Sequence, residues 1–335
     1  MRLQSRVLII VIAFFISLVV LQGCSKDSSH EDSKLFDIAV EPEAFILEKT
    51  VRDKTVMQSI AFDNVNKHVY VLQVMGGDQT VGDETVAASW QKRSSQGDLT
   101  LTQLDYEGNQ LGHMHLKGFG HGISMGVEME DDTAYIWLET DAVSDGSNGW
   151  GDKLARITFE DRGLLDAETD DLDTYVLIDN ADHTTVNIDQ AYDLLTMRYR
   201  LDGEFYYSVF PLEEVKNESY DPIYTVKQPD DIGTFQGFVS HGSYLYLLEG
   251  NETDDSGGNT YVYSIDLETE EILDKQFIEA GMDLPFREPE GMGISIPDLD
   301  EPEEALLHFG FASEHRDFPF KLINIFTFDE MKSKD

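Results

Sequence analysis

After residue 35 the chain is built from short runs in which apolar and polar residues alternate with a period of two, and these runs recur in packets. His68-Val69-Tyr70-Val71-Leu72, Ala134-Tyr135-Ile136-Trp137-Leu138 and Tyr261-Val262-Tyr263-Ser264-Ile265 are examples. They are rich in β-branched and aromatic residues and bounded by Gly, Asp and Asn, which predicts strands joined by tight turns. Packets begin at Gln58, Gly122, Thr185, Gln236 and Glu290, about 50 to 65 residues apart. Four short strands per packet at such a spacing predict a β-propeller, and five packets predict five blades. The fifth packet is one strand short, and Phe36 to Leu47 stands ready to supply that strand and close the ring. A pair of β-sandwiches is the competing architecture. It does not explain why each packet opens on small or polar residues and continues into a Tyr/Trp-rich second strand.

The first residues read differently. Arg2 and Arg6 precede Val7 to Leu21, a run that is apolar but for Ser17, and Leu21-Gln22-Gly23-Cys24 follows at once. The run is short for a membrane span but suits a signal sequence. A small residue before a cysteine at that place resembles the bacterial lipobox, in which the cysteine is diacylated and becomes the mature N-terminus. The expected organisation is a leader over 1–23, a flexible polar tether over 24–34 beginning at lipidated Cys24, and one propeller domain over 35–335. Cys24 is the only cysteine, so neither an intramolecular disulfide nor a Cys-based metal site is available. The expected location is the extracytoplasmic face of the cell membrane.

The charge narrows the partners. The chain carries 65 acidic against 24 basic residues, a formal net charge of −41, yet is 41% hydrophobic and 11% aromatic. Disordered acidic tails lack such apolar content, and here the acidic residues are spread through all five packets. Nucleic acid is excluded as a main partner because phosphate binding needs a basic footprint. An anionic membrane repels such a surface, so membrane contact is expected through the N-terminal lipid only.

In a propeller the first strand of each blade lines the central channel, and residues at those strand starts gather at one mouth. That rule brings together Gln58, His121, Thr185, Gln236 and Glu290, with Arg287 nearby. Gln58, His121, Gln236, Arg287 and Glu290 are the candidate ligand-binding residues, an amide, imidazole, carboxylate and guanidinium set suited to sugars or polar headgroups. The plainer account is that they satisfy inner-strand backbone and channel water. Trp150 offers a flat face to a sugar ring, whereas Trp137 alternates with Tyr135 and belongs in the core. A glycosidase needs two carboxylates about 5–10 Å apart. Glu128, Glu139, Asp189, Glu249 and Glu290 are candidates, but none stands in a catalytic motif, so no catalytic residue is assigned and binding is favoured over catalysis. No cofactor is expected. Calcium is the open alternative, through the acidic loops Asp141 to Gly146 and Asn251 to Gly258, neither of which has EF-hand spacing. His113 and His115 alternate on one strand and point only weakly to a metal.

Several blocks also match a known family in order and spacing. They are Gly97 to Asp105, Leu111 to Gly122 (with its Gly118-Phe119-Gly120-His121-Gly122), Gly126-Val127-Glu128, Trp137 to Ala142, Gly149 to Arg156 and Arg287 to Met292. Over about residues 50–330 the chain resembles the propeller domain shared by teichoic acid biosynthesis protein C, staphylococcal phage receptor-binding proteins and helveticin-J-like bacteriocins. The resemblance implies a five-bladed propeller on a Gram-positive cell surface. In the phage members this domain takes part in binding wall teichoic acid and its sugars. The lipobox departs from those members, and a host-anchored propeller without stem or tower domains is expected. The leading expectation is a lipid-anchored propeller that binds a cell-envelope glycan or glycopolymer related to teichoic acid. A glycoside or phosphodiester hydrolase using the mouth carboxylates, and a surface scaffold that docks a protein, are the alternatives. Teichoic acid is a polyanion, so binding it requires a local basic pocket, expected around Arg287, Arg156 or Lys117, or bridging divalent cations.

Overall fold

A computed structural model describes residues 30–253, 257–299 and 301–332. The leader, Cys24 and the first part of the expected tether lie outside the described residues. So do three residues of the Asn251 to Gly258 loop. Among the described residues no helix is long and apolar enough to cross a membrane.

The strands form five antiparallel sheets, each running from channel to rim. Blade 1 is Met57–Asp63, His68–Val74, Leu99–Asp105 and Gln110–Lys117. Blade 2 is Gly126–Glu130, Thr133–Ser144, Gly149–Thr158 and Asp173–Tyr175. Blade 3 is Asp182–Asp189, Leu194–Leu201, Glu204–Pro211 and Tyr224–Lys227. Blade 4 is Phe235–His241, Tyr244–Glu249, Tyr261–Asp266 and Ile272–Phe277. Blade 5 takes Glu288–Ser295, Leu306–Glu314 and Lys321–Phe328 from the C-terminal end and Glu43–Lys49 from the N-terminal end. Its register, with Glu43 opposite Thr327 and Ala44 opposite Phe326, supplies the strand the fifth packet lacks. The fold is the expected five-bladed propeller.

Successive residues of a strand point to opposite faces, and each face packs on a neighbouring blade: Val69 and Val71 enter one core, Tyr70 and Leu72 the next. Inner strands are buried throughout, as in Met57–Asp63, whereas the outer strand Ile272–Phe277 is mostly exposed. Five apolar cores result, one between each pair of neighbouring blades. The core between blades 5 and 1 includes Ile46 of the closing strand beside Ile323, Ile325, Ile60 and Val69. Each core removes a dozen or so large side chains from water, so ring closure is driven by the same hydrophobic burial as the blades themselves.

Many of the acidic residues have local work. Asp63, Asp105, Asp145 and Asp266 each accept backbone N–H bonds from residues two to four positions on, pinning the turn that follows. Two features were not expected. Leu164–Asp166 leaves blade 2 and pairs in parallel with the outer strand of blade 1, strapping the two together. A short helix, Trp90–Gln96, rides on the loop between the second and third strands of blade 1, with Ser89 capping its N-terminus and Gly97 (φ 73°) its C-terminus. The segment expected to be a free tether also docks in part. Ser33 is buried, and its Oγ accepts the Ser243 N–H at 2.9 Å. Leu35–Phe36 pairs with Met331–Lys332.

Candidate functional site

The inner strands share a defect at one end. In blade 1 the pairing register slips between Met57 and Ser59, in blade 4 between Phe235 and Gly237, and in blade 5 between Pro289 and Met292. The residues at these bulges are Gln58, Gln236 and Glu290. A bulge frees one residue from the ladder and re-aims its side chain. Glycine makes the last one possible: Gly291 has φ 72°, and a Cβ there would lie 2.6 Å from the Ser59 Cα. Gln58 Nε2 lies 3.5 Å from Glu290 Oε1, so two neighbouring bulges meet.

Blade 2 reaches the same point by another route. Glu139 is fully buried midway along its second strand. Its Oε1 accepts the N–H of His121 (3.0 Å) and Gly122 (2.6 Å), and its Oε2 accepts that of Gly151 (2.6 Å). One carboxylate thus holds the His121 loop and the Trp150 strand together. His121 and Trp150 then stack, with centroids 4.6 Å apart and planes 26° from parallel. His183 also stacks on Trp150, at 4.5 Å, and Asp145 takes the indole N–H at 2.9 Å.

These residues surround a cavity of about 680 Å³ at the channel mouth. Gln58, His121, Gln236 and Glu290 line it with Trp150, and Trp90 and Ser94 of the short helix overhang it. Lys54 and Lys321 complete the wall. Lys321 also pairs with Glu314 at 3.0 Å and lies over the Phe286 ring. Burial, reinforced by Glu288, pushes the Glu290 carboxyl well above the usual carboxylate range, and burial together with Glu252 pushes Glu288 up to about 7. Burial lowers His121 to about 4, so its ring is neutral at pH 7. In a strongly acidic chain, the mouth therefore presents two ammonium groups, amides, flat rings and carboxyls whose charge burial disfavours. That set suits neutral hydroxyls and an isolated anionic group together.

Arg287 is placed elsewhere. Its guanidinium is buried in the wall, donating to the carbonyls of Ile278 (2.8 Å) and Ala280 (2.8 Å) and to Thr260 Oγ1 (3.1 Å), and it lies over Phe311. It ties the end of blade 4 to blade 5 and does not line the cavity. Thr185 likewise turns inward, donating to the Ser124 carbonyl at 2.8 Å. Trp137 is fully buried, as expected, with its N–H on Glu128 at 2.7 Å.

Of the five candidate catalytic carboxylates, only Glu290 lines the cavity. Glu128 is paired with Arg156 and Lys216, both at 2.7 Å. Asp189 accepts the Gly242 N–H at 2.7 Å, and Glu249 accepts the Gly233 N–H and meets Lys275 at 3.2 Å. The basic groups anticipated at Arg156 and Lys117 are likewise paired, Lys117 with Asp166 at 3.0 Å. Neither lines the cavity, whereas Lys54 and the Glu314-paired Lys321 do. In the first acidic loop Asp141 pairs with Lys153 at 2.6 Å and Asp145 caps its own turn. Among the described residues no group of three or more His, Cys, Asp or Glu side chains is arranged to hold a metal. Sequence reasoning passed over Lys54, Lys321, Trp90 and Glu288; only the Glu288-Pro289-Glu290 pairing of acids hinted at the last.

Fold and mouth together define a closed five-bladed propeller with a cavity at one mouth of its channel. The chain belongs to the family of phage 5-bladed beta propeller receptor binding platform domains, whose family model matches residues 56–315. It is similar to the "Putative major teichoic acid biosynthesis protein C" of Bacillus subtilis (strain 168), 28% identical over 270 residues, covering 77% of this chain and 57% of that protein. Among solved structures, the tail fiber of Staphylococcus aureus phage P68 matches with a TM-score of 0.67 at 22% identity, covering 88% of this chain and 54% of the fibre chain. This likeness shows a shared fold. The chain thus spans a little over half the length of each.

Proposed function

We propose that this protein is a lipid-anchored extracytoplasmic propeller that binds a cell-envelope glycan or glycopolymer, related to teichoic acid, in the mouth cavity. The observation that carries the reading is the cavity wall. The stacked rings of His121 and Trp150 lie in one cavity with the amides of Gln58 and Gln236 and the ammonium groups of Lys54 and Lys321. Flat rings accept the apolar face of a sugar, amides match its hydroxyls, and the lysines match a phosphate or another acidic substituent. Membership of a receptor-binding platform family supports the reading, as does the similarity to a protein named for teichoic acid biosynthesis. The lipobox at Leu21 to Cys24 supports the anchor.

The test is a glycan array run beside a pull-down on isolated walls, with and without wall teichoic acid. Binding to walls that carry the polymer, lost with Trp150→Ala, is the expected result. Equal recovery on both kinds of wall together with an empty array would overturn it.

A further inference from the structure

The cavity and the N-terminal dock lie at opposite ends of the same strand. Gln236, at the start of Phe235–His241, faces the cavity, and the dock is made at the other end, on His241, Gly242 and Ser243. There Ser33 Oγ accepts the Ser243 N–H, Ser243 Oγ donates to the His30 carbonyl at 2.9 Å, and the Phe36 ring lies 5.3 Å from that of His241. The fit is close: a Cβ on Gly242 would stand 2.2 Å from Ser33, and Gly242 has φ 55°. Phe36 is itself buried, and its N–H reaches the Tyr246 hydroxyl at 2.8 Å. The chain therefore enters the propeller on the face away from the mouth, held by packing and hydrogen bonds.

From this we infer that the cavity opens on the side turned away from the bilayer, so that its ligand is a polymer of the wall outside the membrane and not a lipid headgroup of the same leaflet. This rests on the lipid-anchor reading of Cys24. The argument is one of reach. Six residue steps separate Cys24 from His30, and fully extended they span at most about 22 Å. The six steps from Phe235 to His241 alone run about 20 Å along the blade. Loops project beyond both ends, the 75–98 loop with its short helix among them. A link that starts on the far face is too short to pass the whole blade and its loops and still set the mouth on the membrane.

The test places single cysteines on the two faces of the full-length chain in protoplasts. Val86→Cys marks the mouth side, where Val86 is 78% exposed on the 75–98 loop. Glu271→Cys marks the dock side, on the exposed turn before Ile272–Phe277. Each is labelled with a small impermeant maleimide and with one carrying a long polyethylene glycol. Both reagents should modify Val86→Cys alike, whereas the bulky one should modify Glu271→Cys several-fold less than the small one. Detergent solubilisation should erase that difference. An anchored chain whose two sites label alike, or in the reverse order, overturns the orientation and leaves the anchor standing. A chain recovered in the soluble fraction with a free Cys24 thiol overturns the anchor, and the orientation with it.

Discussion

The backbone N–H of Lys321 donates to the carbonyl of Lys54 at 3.2 Å. These residues stand near opposite ends of the chain, and closure of blade 5 brings their side chains to one cavity wall. Lys54 is exposed, so its contribution to an anionic ligand is of the order of 1 kcal/mol, or about fivefold in affinity. Lys54→Ala is expected to weaken a phosphate-bearing polymer by about that factor and to leave a neutral oligosaccharide unaffected, as measured by calorimetry. The acidic surface around the mouth repels a polyanion over about 30 Å in 0.01 M salt but only about 8 Å at physiological strength. Affinity for the polymer is therefore expected to rise as salt is added between those limits. A monotonic fall over the range would mean that the lysines, not the surrounding carboxylates, set the long-range field.

Trp150 makes the second prediction. Its stacking with His121 and His183 fixes the ring in the cavity wall, and aromatic contacts contribute about 0.5–1.5 kcal/mol beyond burial. Trp150→Ala should lower sugar affinity about tenfold. Trp150→Phe keeps the face but loses the bond to Asp145, and should fall between. Equal affinity for all three proteins would place the ligand elsewhere.

Stability should depend on pH in a direction set by the buried carboxyls. Burial pushes Glu139 up to about 7 despite its three backbone N–H donors, Glu288 is pushed to about 7, and Glu290 stands well above its ordinary value. A carboxyl with a raised pKa keeps its proton in the folded chain after the unfolded chain has released it. It therefore favours folding at low pH, and that advantage disappears as pH climbs through the folded-state pKa. For fully buried Glu139 the loss between about pH 4.5 and 7 is of the order of 3 kcal/mol. In the opposite sense, Arg93 holds Glu84 down to about 2, and turn N–H groups hold Asp145 to about 2. Their stabilisation is lost as pH falls below about 4. Melting temperature is thus expected to peak in the mildly acidic range and decline towards pH 9. Glu290→Gln should flatten the alkaline limb without lowering the peak. A melting temperature that climbs from pH 5 to 9 would contradict the assignment.

Arg93 positions the overhanging helix. Its buried guanidinium meets Asp98 at 2.9 Å, Glu84 at 2.7 Å and the Gln79 carbonyl at 3.1 Å, knitting the 75–98 loop to blade 1. Arg93→Ala leaves Asp98 buried without its partner and should cost about 3–5 kcal/mol. Denaturant unfolding measures that loss. Limited proteolysis should cut first within this loop, and Arg93→Lys should restore part of the protection.

The blades were legible because short β-branched and aromatic runs bounded by Gly, Asp and Asn mark strands and turns, although both faces of His68–Val74 are buried, with Val69 and Val71 in one core and Tyr70 and Leu72 in the next. The closing strand was legible by its absence from the last packet. What escaped was decided at longer range or on too few residues. Leu164–Asp166 is three residues long, and its parallel partner lies in another blade. Trp90–Gln96 is too short to show helical periodicity. At the mouth, strand starts located Gln58, His121, Gln236 and Glu290, but the aim of Arg287 depends on the carbonyls that happen to face it. Lys54 and Lys321 become neighbours only after closure, so neither carries a local signal. In Gln236-Gly237, Glu290-Gly291 and His121-Gly122, a polar residue followed by glycine was the available mark of the mouth.

The pairing of Glu43–Lys49 with Lys321–Phe328 also sets a clock. The closing strand is among the first parts of the domain to emerge from a ribosome, and its partner is nearly the last. Until that partner arrives, Ile46 lacks its blade 5 neighbours Ile323 and Ile325 in the core between blades 5 and 1. Contacts so distant in sequence form late, because the loop they close must be ordered first. A chain threaded outward from its N-terminus therefore stays open along one seam until almost its last residue has passed.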